Sequence, residues 1–188
     1  LVINEDSEAV KFAIVSLQFF EAARVLSAAQ REKGRILFRP TLMVAGQGLE
    51  MLLKACWHLN ALEPPKSGKE GHDIKSLRQP DICEPVRKHL IHNALLAVEE
   101  GRESGIYTGI PKNKNVPSLI EKCVLELGSL HASKNYPLRY PTSENINAPR
   151  TPFLVNALWK TADDLVRRPN DFELNHFKSF TINNLRIA

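Results

Sequence analysis

The sequence predicts an all-α protein, an up-and-down bundle of four to five helices with a non-helical C-terminal tail. Three observations predict it. Apolar residues recur with a helical period over several long segments. Those segments are punctuated at Gly34, Pro64-Pro65, Pro80, Pro149 and Pro169. No Gly-rich phosphate loop, dinucleotide fingerprint or G-x-S-x-G elbow marks an α/β enzyme. At 188 residues, with 43% apolar, 24% charged and 7% aromatic residues, the chain has the size and composition of one globular domain. Collagen-like, mucin-like, disulfide-scaffold and disordered classes are excluded by composition. The uninterrupted apolar runs fall far short of the ~20 residues of a membrane span, so none is expected.

The first helix is expected from about Ser7 to Lys33, with Asp6 or Ser7 as its N-cap. Val10, Ile14, Leu17, Phe20, Val25 and Leu26 mark its apolar positions, and Gly34 ends it after the cations Arg31 and Lys33. The second begins near Pro40, a favoured first-turn residue. Its stripe is Leu42, Ala45, Leu49, Leu52, Leu53, Cys56 and Leu59. Gly46 and Gly48 cost about 1 kcal/mol each against Ala in a helix, which points to close approach of another helix. Glu50 and Lys54 form an i,i+4 pair of the favourable polarity and read first as a surface pair, second as the lining of a polar groove. A loop at 65–71 leads to a short amphipathic turn, His72 to Leu77, which Pro80 closes.

The third long helix is expected from about Pro85 to Glu100, followed by a loop over 101–117 that contains Tyr107 and Lys112. Pro117 or Ser118 opens a fourth helix running to about His131. An irregular stretch over 135–150 holds three prolines. The last helix takes Thr151 as N-cap and Pro152 in its first turn, and ends before Pro169. The expected division is therefore a bundle over 1–169 and a tail over 170–188.

The formal charge of +4 and the pI near 9.0 permit contact with a polyanion without demanding it. Cys56, Cys83 and Cys123 form no Cys-x-x-Cys pair, which excludes a zinc ribbon or thioredoxin motif. Cys56 and Cys123 sit at apolar helical positions and read as buried thiols, which suits a reducing, cytoplasmic compartment. The acidic opening of the chain carries no basic n-region, so no signal peptide is expected. The histidines show no metal-ligand spacing; His89 and His92 lie three apart with no third partner, and neither metal nor cofactor is expected.

Three segments carry a family resemblance. Gly48-Leu49-Glu50-Met51-Leu52-Leu53-Lys54-Ala55 resembles the A-x-E-L-x-L-K-A helix of HEPN domains. Gly71-His72-Asp73-Ile74, with Leu77, resembles the Gly-His-Asp-Leu segment that follows it there. Leu138-Arg139-Tyr140-Pro141 resembles the Arg-Tyr-Pro segment before the last helix. They stand in the family's order over residues 41–168. The resemblance implies a helical bundle, often a homodimer. It implies service in toxin–antitoxin, abortive-infection, CRISPR or regulatory systems, as a metal-independent ribonuclease or as a non-catalytic module. The partners so implied are RNA or a nucleotide, a nucleotidyltransferase or an antitoxin, and no membrane.

The family's ribonucleases carry Arg, four to six residues, then His. Here only Arg87 and His92 satisfy that spacing, and random placement of 12 Arg and 6 His yields about one such hit. Lys88 follows Arg87 where the family usually has Asn, Asp or His, and no His follows Arg139 within seven residues. The chemistry needs both members: His moves protons near neutral pH, and Arg stabilises the charge developing on phosphorus. Five residues on a helix turn through about 140°, so Arg87 and His92 need not face one cleft. The candidate catalytic pair is thus Arg87 and His92, against two helix-surface residues. The candidate binding residues are Arg139, Tyr140, Glu50, Lys54 and His72. Arg139 reads equally as a structural residue, His72 as a cap or packing residue, and Tyr107 and Lys112 as solvent-loop residues. The expected function is that of a non-catalytic HEPN-like module binding RNA, a nucleotide or a protein. The alternative is a metal-independent ribonuclease using Arg87 and His92, or Arg139.

Overall fold

The computed structural model describes residues 7–65, 71–104, 115–132, 137–139 and 148–172. They form six helices with no strand among the described residues. These are α1 (Glu8–Lys33), α2 (Phe38–Leu59), the one-turn α3 (Ile74–Leu77), α4 (Pro80–Glu103), α5 (Val116–His131) and α6 (Thr151–Arg167). The all-α fold class is as the periodicity predicts.

The boundaries differ instructively. A 3-10 turn, Gly34–Leu37, feeds directly into α2, which starts two residues before Pro40. The first N–H groups of a helix have no intrahelical acceptor, so proline is as well tolerated in the third position as in the first. Pro80 does not merely close the short turn; it is the first residue of α4, behind the extended Gln79. Pro85 therefore lies inside the helix, near its start, where its missing donor removes one hydrogen bond. Thr151 is the first helical residue of α6, not its cap; Arg150 occupies the cap position, and the Thr151 hydroxyl donates to the Pro149 carbonyl at 3.3 Å. The 170–188 tail begins with residues that belong to the bundle: Pro169–Phe172 is a 3-10 turn, and Phe172 is fully buried.

α1 and α2 run antiparallel, with Ser16 donating to the Gly48 carbonyl at 2.9 Å and Gln30 to Thr41 at 2.8 Å. α6 packs between α1 and α4. Asn93 of α4, itself buried, donates to Thr161 and Asp164 of α6. α5 closes the bundle against α2, α3 and α4. Phe20, Leu42, Leu52, Leu127, Phe153 and Leu158 are fully buried at the centre, each contributing about 1.5–3 kcal/mol by leaving water. All three cysteines are buried free thiols. Burial pushes the Cys123 thiol up; the neighbouring Cys83 thiol, together with burial, pushes Cys56 up.

One stretch bears on the expectation that no membrane span is present. The Glu8–Gln30 stretch of α1 is long and apolar enough to cross a membrane by length and composition. Run length missed it because Lys11, Gln18, Glu21 and Arg24 interrupt the apolar residues. In the fold, Phe20 and Ala23 of this helix are core residues.

Candidate functional site

Glu50 lies midway along α2 and is fully buried, so the surface-pair reading of Glu50 and Lys54 is overturned. An isolated buried carboxylate costs several kcal/mol in lost hydration. Three cationic or N–H donors compensate it here. Lys54 Nζ, one turn on, lies 2.7 Å from Oε1. His72 Nδ1, ahead of α3, lies 3.0 and 3.1 Å from the two oxygens. His131 Nε2, on the last residue of α5, lies 2.9 Å from Oε2. An ionised carboxylate only accepts, so His72 donates through Nδ1–H and His131 through Nε2–H. Three separate segments of the chain therefore converge on one side chain.

Local sequence explains each position. Gly46 precedes Glu50 by one turn on the same side of α2, and a Cβ there would stand 2.7 Å from His131 Nδ1. The missing side chain is what lets the His131 ring reach the carboxylate. Gly48 does the same for α1, where a Cβ would meet Phe20 at 2.8 Å. Both glycines thus serve helix approach, as their propensity cost suggests. Asp73, not His72, caps α3, accepting from Lys75 N at 3.1 Å and from Ser76 Oγ. That leaves His72 free to turn inward, with its ring still largely exposed.

Burial opposes ionisation of Glu50, but the hydrogen bonds from His131, Lys54 and His72 outweigh it and hold the carboxyl at about 2. A carboxyl depressed from 4.5 to about 2 stabilises the fold above pH 4.5 and loses that contribution as pH falls towards 2. The amount lost is about 3 kcal/mol at 1.36 kcal/mol per pH unit. Urea midpoints of the protein between pH 5 and 2 are expected to fall steeply, and the Glu50→Gln variant is expected to lose most of that slope.

The candidate catalytic residues are not brought together. Arg87 of α4 is held by carboxylates. Its Nε and Nη2 lie 2.6 and 2.9 Å from the Glu84 oxygens, and its Nη1 lies 3.4 Å from Glu121. Glu121 also pairs with Arg78. The Glu84 carboxylate, then Glu121, hold the guanidinium more firmly protonated, and Arg87 in turn holds Glu84 below its usual range. His92 is exposed farther along α4, turned about 140° from Arg87. His89, one turn earlier, faces the 3-10 turn Pro169–Phe172: it stacks on Phe172 at 3.8 Å and meets the Asp171 carbonyl at 2.9 Å.

Of the candidate binding residues, Glu50, Lys54 and His72 form one cluster. Arg139 is exposed on a turn at 137–139, beside the buried Leu138. Tyr140, Tyr107 and Lys112 lie outside the described residues. His131 was not singled out by sequence; the available signal was Gly46 one turn before an acidic residue flanking an apolar stripe. Among the described residues, no group of three or more His, Cys, Asp or Glu side chains is arranged to hold a metal ion. The Lys54 ammonium occupies the Glu50 carboxylate where a cation would sit. Chemically, the cluster is a buried carboxylate that ties α2 to α5 and to the start of α3 while presenting one exposed imidazole. Comparison with protein-family models, with curated proteins and with solved structures returns no match.

Proposed function

We propose that this chain is a HEPN-like module of a prokaryotic defence, toxin–antitoxin or regulatory system that binds without cutting. Its ligand is RNA or a nucleotide, or a partner protein such as a nucleotidyltransferase or antitoxin, and it acts in the cytoplasm as a homodimer. The observation that carries the non-catalytic part is the state of Arg87. A guanidinium already bridged by Glu84 and Glu121 has its fork occupied and its charge offset. It stands on a different side of α4 from His92. The Glu50, Lys54 and His72 residues, which carry much of the resemblance, are engaged with one another and with His131 in holding helices together. The basic balance of the chain supports contact with a polyanion.

The test is incubation of the purified protein with single-stranded and structured RNA in EDTA. Intact RNA, with binding that weakens as salt rises, is the expected result. Cleavage that disappears in His92→Ala and Arg139→Ala variants would overturn the proposal and restore the ribonuclease reading. Intact RNA with no binding, alongside capture of an antitoxin or nucleotidyltransferase, would assign the module to protein partners.

A further inference from the structure

We propose that the C-terminal segment of this chain, residues 173–188, folds back into the groove between α1 and α6 and seats Phe177 and Phe180 there. This inference is independent of the reading above. The groove, about 430 Å³, has walls of Ile14 and Leu17 from α1 and Trp159 and Val166 from α6. That volume lies in the range of pockets that enclose small apolar groups. Glu21, Asp163 and Arg167 also line it, with Glu21 paired to Arg24 at 2.9 Å and Asp163 to Arg167 at 2.6 Å. Ile14, Leu17 and Trp159 in its walls are only half-buried, and apolar surface left in contact with water favours a covering segment.

The tail of the same chain fits that role by position, reach and chemistry. Phe172 is buried against His89 of α4, which fixes the root of the tail on the side of α6 opposite the groove. Only the width of one helix, about 10–12 Å, has to be crossed. The sixteen residues that follow can span on the order of 50 Å when extended. They include Leu174, Phe177, Phe180, Ile182, Leu185 and Ile187. Arg24 and Arg167 already pair with Glu21 and Asp163 beside the groove, so the contact expected of the tail is apolar. The tether also gives the segment an effective concentration on the order of millimolar at the groove, with no partner required.

The chain has two tryptophans, so its indole N–H groups give two NMR resonances, and a Trp159→Phe variant identifies the one from the groove. In the full-length chain, Phe177→Asp with Phe180→Asp is expected to move the Trp159 resonance by several linewidths. Addition of a free peptide of residues 173–188 to that variant is expected to restore it. The resonance of the unaltered chain is expected to stay fixed on dilution. A Trp159 resonance indifferent to the tail substitutions and to the peptide would overturn the proposal. A resonance of the unaltered chain that shifts on dilution would overturn it too, by showing that a second copy covers the groove.

Discussion

Replacing Glu50 with Gln is expected to cost about 3–5 kcal/mol of folding stability, the usual penalty for removing one partner from a buried ion pair. Gln keeps the shape of the side chain and removes its charge. Lys54 Nζ, 2.7 Å away on a side chain only 14% exposed, then has no counter-charge. The amide also introduces a donor, so one of His72 and His131 must switch tautomer to accept from it, and the charge-assisted bonds to the carboxylate become neutral, weaker ones. The loss should appear at pH 7 as a lower urea midpoint with an unchanged slope. A change of less than about 1 kcal/mol would mean that the cluster is solvated in solution and contributes as a surface pair does.

Phe20→Ala is expected to cost about 3–5 kcal/mol, because a fully buried aromatic ring leaves a cavity at the α1–α2 seam. The seam has little freedom to collapse. The Phe20 ring lies over Gly48, and Ser16 fixes the same backbone through its hydrogen bond to the Gly48 carbonyl. Gly48→Ala in the unaltered protein gains about 1 kcal/mol of helix propensity. It also forces a Cβ to within 2.8 and 2.9 Å of two Phe20 ring carbons. Overpacking of this kind costs about 1–3 kcal/mol, so the net effect is expected to be destabilising. In the Phe20→Ala background the ring clash is absent and only the Phe19 Cβ, at 3.2 Å, still crowds the new methyl, so Gly48→Ala should become much less destabilising or neutral. A double-mutant cycle on thermal or urea unfolding measures the coupling, and additive effects would contradict the geometry.

The fold was largely legible because it depends on periodicity and punctuation, which are local. The long helices followed from apolar spacing, and the ends of α1, α5 and α6 from Gly34, His131 and Pro169. Sequence places the start of α4 at Pro85 instead of Pro80 because both prolines satisfy the first-turn rule, and only the extended backbone of Gln79 selects the earlier one. The site was legible in part. Glu50, Lys54 and His72 were marked by sequence, but their burial was not, since a Glu–Lys pair one turn apart looks the same on a wet face and on a packed one. Arg87 and His92 show the reverse. A sequence spacing joined them, while the helical turn and the carboxylates of Glu84 and Glu121 separate them.

The sequence by itself determined an all-α chain, its helix-forming segments, the close-approach glycines Gly46 and Gly48, and its buried thiols. Each of these is written in residues a few positions apart, within reach of one helical repeat. Tertiary structure alone decided that Glu50 is interior, that His131, eighty-one residues away, is its partner, and that Phe172 belongs to the core. Those outcomes depend on which helix faces lie against one another, and the free energy of a buried charge is set by the donors that packing delivers to it.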